Sequence, residues 1–115
     1  MNRQGFVDAI RLVVQDAAVT DAVSLLSRPP GRKPSEDLID LSVWFNDLAI
    51  QDRQNVEKVI EMAVRAAVFG FLCVLDGARA IENGPMKGRL DLRYRGGSED
   101  ISLNDDEGDP LHDLL

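Results

Sequence analysis

Arg65 and Asp76 are isolated charges in the most apolar stretch of the chain, EMAVRAAVFGFLCVLDGARA, which covers residues 61–80. Eleven helical residues at about 100° each return to within about 20° of the starting direction, so the two charges share a face if the stretch is one helix. An arginine can hold an anionic ligand and an aspartate can act as an acid or a base. The pair is therefore a candidate small-molecule site.

The same helical arithmetic extends this face to a polar stripe made of Lys58, Glu61, Arg65, Asp76 and Arg79. Three interpretations stay open. The stripe is a solvent-facing edge whose neighbouring charges form weak ion pairs, it flanks a groove with Phe69 and Leu72 as an apolar floor, or the helix kinks at the Asp76-Gly77 pair. In the groove hypothesis, Arg65, Asp76 and Arg79 line a pocket for an anionic ligand.

A second candidate is the acidic segment from Glu99 to Asp113, which holds seven carboxylates and neither lysine nor arginine. It is either a solvated tail or a docking surface for a basic protein, formed by Glu99, Asp100, Asp105, Asp106, Glu107 and Asp109. A calcium loop is excluded, because the residue five positions before Gly108 is Leu103, which carries no oxygen ligand. Asp109, His112 and Asp113 could supply metal ligands, but a lone histidine in an acidic tail is more often solvated, so we predict no metal site and no cofactor. A histidine-based triad could use only His112, together with a nucleophile that folding brings close.

Composition narrows the classes of partner. The chain has 13 basic and 20 acidic side chains and a net charge of −7, so we expect no binding to nucleic acid or to anionic membranes. The apolar run from Met62 to Leu75 is shorter than the roughly 20 residues that a membrane-spanning helix needs. Cys73 is the only cysteine, so no intramolecular disulfide exists and we expect a cytoplasmic protein.

Sequence periodicity predicts one α+β domain over residues 1–115, with three or four helices around a long apolar central helix and a C-terminal antiparallel β-hairpin. The expected parts are a helix or helix pair over residues 1–28, a proline-rich linker over 29–34, a helical hairpin over 35–83, a β-hairpin over 88–104, and an acidic tail with a short helix over 105–115. Ser35 is the expected N-cap of the helical hairpin, and Trp44 is expected in its core.

One resemblance adds to this pattern. The stretch VWFNDLAIQDRQNVEKVIEMAVRAAVFGFLCVLDG, followed by GRLDLRYRGGSEDISLND and PLHDLL, is similar to small uncharacterised bacterial proteins, some of which are of the immunity-protein kind that neutralises toxins. The resemblance spans roughly residues 43 to 115 and contains no motif with defined chemistry. It implies a protein-binding role and no particular site residues.

These observations favour a non-enzymatic, acidic protein-binding module, in its most concrete form an immunity-type antagonist of a basic toxin or nuclease. The first alternative is a small-molecule binder or enzyme with a pocket beside Arg65, Asp76 and Arg79. The second is a homodimeric structural protein in which hairpin edges or central helices pair.

Overall fold

The computed structural model describes residues 1–115 and has the α+β architecture that the sequence predicts. Four helices precede a two-stranded antiparallel sheet, and a short helix follows it. The helices are α1 (Arg3–Ile10), α2 (Ala17–Ser27), α3 (Glu36–Asp47), α4 (Ile50–Leu75) and α5 (Leu111–Leu114), and the strands are β1 (Arg93–Gly96) and β2 (Glu99–Ser102). No helix combines the length and the apolar character needed to cross a membrane.

The chain divides into two compact units. We call residues 1–14 together with 66–115 the terminal unit, and residues 15–65 the middle unit. Helix α4 supplies its N-terminal part to the middle unit and its C-terminal part to the terminal unit. Each unit has its own buried residues and its own surface.

The core of the terminal unit joins three helices. Val7 of α1, Leu72 of α4 and Leu111 of α5 are at most 1% exposed and form one cluster. The half-buried side chains that pack around it are Phe6, Val68, Leu75, Leu92, Leu114 and Leu115. Burial of these apolar surfaces is the main stabilising term for this unit, and it ties both chain ends to the C-terminal part of α4.

Helix α4 ends at Leu75 because the next residues adopt a Schellman motif. Gly77 has a φ of 77°, the amide of Ala78 donates to the carbonyl of Cys73 at 2.9 Å, and the amide of Gly77 donates to that of Val74 at 3.1 Å. Glycine adopts this left-handed conformation without a Cβ penalty. The expected helical hairpin over residues 35–83 is therefore wrong at its C-terminal end, and the Asp76-Gly77 pair terminates the helix.

The β-hairpin has the predicted position but shorter strands. Tyr94 pairs with Ile101 and Arg95 with Asp100, and Gly97 supplies the positive φ of 58° in the two-residue turn. The strands do not extend over the whole expected range of 88–104. Just before β1, the amide of Leu103 still donates to the carbonyl of Leu92 at 2.8 Å, whereas the amide of Leu92 and the carbonyl of Leu90 bind the side chain of Asn104.

In the middle unit, α2 packs against α3. Ser35 caps α3 as predicted, because its Oγ accepts a hydrogen bond from the amide of Leu38 at 3.3 Å. Phe45 is 2% exposed and is the only apolar side chain of this unit that is fully buried. Trp44 is 50% exposed, so its expected place in the core is wrong.

Between α1 and α2 the chain stays helical, but residues Arg11–Asp16 form a π-helix. The sequence allowed one long helix or two joined by a kink, and the irregular turn is this π-helical segment. Segments of this kind are rare and occur frequently at functional sites. The helical region ends at Ser27, before the proline-rich linker in which Pro29, Pro30 and Pro34 cannot donate backbone hydrogen bonds.

Asn104 is a buried polar centre of the terminal unit. Its side chain donates to the carbonyl of Leu75 at 2.7 Å and to that of Leu90 at 3.0 Å, and it accepts from the amide of Leu92 at 2.8 Å. The residue is 5% exposed. It therefore joins the last turn of α4 to the segment that leads into β1.

We expect Asn104→Ala to lower the free energy of unfolding by about 3 kcal/mol, because three backbone groups lose their partner in a buried place. Urea unfolding followed by circular dichroism measures this change. Asn55→Ala removes the same side chain from an exposed position on α4 and should change stability by less than about 0.5 kcal/mol. Equal effects of the two substitutions would contradict the role of Asn104.

Candidate functional site

The structure does not bring the five residues of the polar stripe onto one helical line. Lys58, Glu61 and Arg65 lie on α4 in the middle unit, whereas Asp76 and Arg79 follow the end of α4 in the terminal unit. None of the expected ion pairs between neighbouring charges of the stripe forms. The stripe is therefore two separate groups of charges, one in each unit.

Asp76 is used inside the terminal unit. Its carboxylate accepts a hydrogen bond from the backbone amide of His112 at 2.9 Å, and the same oxygen lies 2.7 Å from Nδ1 of the His112 ring. The Asp76 side chain is only 6% exposed. The ring of Phe69 meets the His112 ring edge-on, with centroids 5.6 Å apart. These contacts anchor α5 to the end of α4.

Two further residues of the groove hypothesis, Leu72 and Arg79, also contact other residues of the terminal unit. Leu72 belongs to the core cluster, where it is 1% exposed. The guanidinium of Arg79 lies directly against Gly70 on α4, a position where any side chain would collide with it. Leu72 therefore supplies core packing instead of the expected apolar floor of a pocket.

A cleft of about 460 Å³ in the terminal unit does include Asp76 and Arg79. Each of its carboxylates already has a partner. Asp76 binds His112, Glu82 accepts from the amide of Gly88 at 2.8 Å, and Asp106 pairs with Arg89 at 3.0 Å. Each carboxylate of this cleft is therefore hydrogen-bonded or ion-paired within the terminal unit.

Most of the acidic segment is neutralised within the terminal unit. Glu99 lies 3.1 Å from the amino group of Met1, and Asp106 pairs with Arg89. Asp105 pairs with Arg3, whose guanidinium also donates to the carbonyl oxygens of Asp105 and Asp109. The carboxylates of Glu107 and Asp109 form no ion pair. The predicted docking surface therefore has far less free charge than its sequence indicates.

Asp100 shows the same neutralisation across the hairpin. Its carboxylate accepts from Nε of Arg93 at 2.9 Å and lies 3.7 Å from Nε of Arg95. The hydrogen bond and the charge of Asp100 raise the pKa of the Arg93 guanidinium above its ordinary value. The hairpin register accounts for this proximity, because it places Arg95 directly opposite Asp100.

Nine carboxylates without an ion pair lie in the middle unit, and sequence reasoning missed them. None of the carboxylates in this unit forms an ion pair; they are Asp16, Asp21, Glu36, Asp37, Asp40, Asp47, Asp52, Glu57 and Glu61. Four of them lie on α3, whose sequence EDLIDLSVWFND contains no basic residue. The lack of basic residues in this segment is the sequence feature from which its unpaired carboxylates could have been predicted.

Helix α3 also exposes apolar side chains. Ile39 is 42%, Leu41 50%, Val43 66% and Trp44 50% exposed, although the helix has only twelve residues. Only Ser42 and Phe45 are buried on it. A partly exposed tryptophan among aliphatic side chains is typical of protein-binding surfaces. We call α3, with its free carboxylates and exposed apolar side chains, the acidic helix face.

A second cleft, of about 340 Å³, lies wholly in the middle unit and contains Arg65. Its lining combines the end of the π-helical segment, the start of α2 and one side of α4; the residues are Gln15, Asp16, Val19, Thr20, Glu61 and Arg65. Of the residues predicted for a pocket, Arg65 is thus the one that lines this second cleft.

No group of three or more histidine, cysteine, aspartate or glutamate side chains is arranged to hold a metal ion. Comparison of the chain with protein-family models, with curated proteins and with solved structures finds no match. The resemblance to immunity proteins therefore stays a prediction, and the function has to be inferred from the geometry of the chain itself.

We expect Asp76→Ala to lower the free energy of unfolding by about 2–4 kcal/mol, because the amide and ring of His112 lose a buried charged acceptor. Chemical denaturation measures this change, and Glu107→Ala is the control, since its carboxylate is exposed and forms no ion pair. If Asp76→Ala is as stable as the control, Asp76 does not anchor α5.

Proposed function

We propose that the protein is a non-enzymatic, acidic protein-binding module that docks a basic partner on the acidic helix face. The observation that carries this proposal is the composition of the exposed part of α3, where four unpaired carboxylates stand beside four exposed apolar side chains. Such a surface offers both long-range attraction to a basic protein and apolar area for a tight contact.

The apolar part favours a protein as the ligand. Exposed apolar side chains contribute to affinity when a partner covers them, and tryptophan is among the residues that most often dominate such contacts. The side of α3 that carries Ser42 and Phe45 is buried in the middle unit, so the helix is held in place while its other sides are free. A fixed docking helix loses little conformational entropy on binding.

The acidic part favours a basic partner. Carboxylates that are already paired with arginine contribute little to the outer field, whereas those on α3 retain their full charge. Charge complementarity raises association rates and discriminates against acidic partners. The net charge of −7 acts in the same direction. An immunity-type antagonist of a basic toxin or nuclease is the most specific form of this proposal.

A homodimer is the second candidate, and one specific observation favours it. On α4 in the middle unit, Val59 is 62% and Met62 is 72% exposed, three residues apart on one side of the helix. A second copy of the chain would remove these side chains from water. Light scattering at two protein concentrations separates this candidate from a monomeric module.

The charge on α3 gives the first functional prediction. A tagged full-length chain captures the partner from cells of the source organism, and the purified partner is then used in stopped-flow association. We expect Asp40→Asn with Asp47→Asn to slow association by about three- to tenfold at low salt, because both unpaired charges are lost from the docking helix.

The matched control removes two charges from the terminal unit, through Asp106→Asn with Glu107→Gln. It changes the net charge by the same amount, and we expect less than about a twofold effect. If both double variants slow association equally, overall charge and not the acidic helix face steers the partner. Association that does not depend on salt would contradict the basic-partner proposal.

The apolar contact gives a separate prediction. We expect Trp44→Ala to weaken the complex by about 2 kcal/mol, or roughly thirtyfold in Kd, through faster dissociation. Phe71→Ala is the control, because Phe71 is an exposed aromatic residue (63%) of the terminal unit. Unchanged dissociation in Trp44→Ala would exclude α3 as the docking helix. A concentration-dependent mass that Trp44→Ala abolishes would assign the face to self-association.

A further inference from the structure

The chain exposes more surface than a folded monomer of its mass. Its accessible surface is 8304 Å². Folded monomers follow a scaling law that gives about 6,200 Å² for one domain of this mass. The same law gives about 7,500 Å² for two separate compact units of the sizes found in this chain. On either basis the chain has an excess of at least about 800 Å² of exposed surface.

Apolar side chains contribute to this exposed surface. Seventeen large apolar side chains are exposed, whereas six apolar side chains are buried. Removal of such side chains from water is favourable, and a protein–protein interface of standard size takes about 800 Å² from each partner. The excess surface of the chain is thus as large as the area that one molecule contributes to a stable interface.

One uncharged strip of exposed side chains lies on α4 in the middle unit. Val59 is 62% and Met62 is 72% exposed, and Ala63 is exposed as well. Residues that are three or four positions apart point to the same side of a helix, so these side chains form one surface. We call them the α4 strip. The exposed apolar residues 12–14, in contrast, follow one another directly and do not share one side.

The charge of the chain selects between the α4 strip and the acidic helix face as the place where a second copy binds. In a symmetric dimer the same patch of both copies meets itself. The acidic helix face would bring its four carboxylates against those of the second copy, and juxtaposed like charges lower affinity. The α4 strip contains no charge. It is therefore the face that a second copy of this acidic chain can cover.

We propose that two copies of the chain form a symmetric homodimer with the α4 strip at the centre of the contact. This proposal rests on the second candidate function and deepens it, because it names the face and the symmetry of self-association. No residue of α3 belongs to the α4 strip, so the dimer presents the acidic helix face twice.

The first test is the molar mass of the full-length chain, measured by size-exclusion chromatography with light scattering over a wide range of concentration. We expect twice the mass of one chain. Val59→Glu should raise the Kd of self-association by about a hundredfold or more, because two carboxylates then meet close to the twofold axis. Val43→Glu is the matched control, since it introduces the same charge at a valine of similar exposure, 66%, on α3. It should keep the mass of the dimer.

The second test locates the contact by crosslinking. Met62→Cys places a thiol on the α4 strip, and mild oxidation should join the two copies by a disulfide, because residues close to a twofold axis meet their own copies. Val43→Cys is the control and should stay uncrosslinked at the same protein concentration. The native Cys73 is buried and present in every variant, so the wild-type chain gives the background.

A molar mass of one chain at every concentration would overturn the proposal. A dimer that Val59→Glu leaves intact would also overturn it, and so would a dimer that Val43→Glu dissociates instead, since the contact would then lie on α3. Equal crosslinking of Met62→Cys and Val43→Cys would contradict it as well. Circular dichroism verifies that each variant is folded.

Failure of the dimer can be distinguished from failure of docking on α3. A monomeric chain whose binding to a basic partner depends on Trp44 would contradict the dimer alone. A dimer that Val59→Glu dissociates and that captures no basic partner would contradict the docking proposal alone.

Discussion

The termination of α4 at Gly77 is the constraint on which the terminal unit depends. The Schellman motif stops the helix at Leu75, binds the carbonyls of Cys73 and Val74, and leaves the carbonyl of Leu75 and the side chain of Asp76 available to other segments. Asn104 binds the carbonyl of Leu75, and Asp76 binds the amide and ring of His112. The segment leading into the hairpin and the C-terminal helix are thus both attached to one helix end. Continuation of the helix through residue 83 would remove both attachments.

The two units differ in how many of their carboxylates form ion pairs, and the proposed function depends on this difference. In the terminal unit, basic groups such as Arg3, Arg89 and Arg93 pair with the carboxylates of the acidic segment. Each of these exposed pairs contributes little to stability, but together they reduce the outward field of the segment. In the middle unit no carboxylate forms an ion pair. In the proposed function, a basic partner therefore docks on α3 and not on the C-terminal acids.

Few side chains of the middle unit are buried, and none of its carboxylates forms an ion pair. Phe45 is its only fully buried apolar side chain, while Trp44 and Val43 on the same helix are at least half exposed. Exposed apolar side chains and carboxylates without an ion pair thus occur together in this unit.

Helix ends and the β-hairpin can be predicted from the sequence alone. Ser35 indicates the start of α3, sequence periodicity predicts the β-hairpin, and the Asp76-Gly77 pair indicates a kink or helix end, because each signal depends on neighbouring residues. Ion pairs between residues that are far apart in the sequence cannot be predicted in this way. Arg3 and Asp105 are 102 positions apart, and nothing near either residue indicates the other.

The tertiary structure therefore determines which charged side chains have a partner and which do not. It assigned Asp76 to His112, neutralised most of the acidic segment, and left the carboxylates of α3 and Arg65 without partners. It also decided that Trp44 faces solvent, because one helical pattern is compatible with burial of either of two adjacent faces when apolar residues occupy both. Net charge and composition follow from the sequence by counting. Which charges stay free depends on the distances that only folding sets, since ion pairing acts over a few ångströms in space and not along the chain.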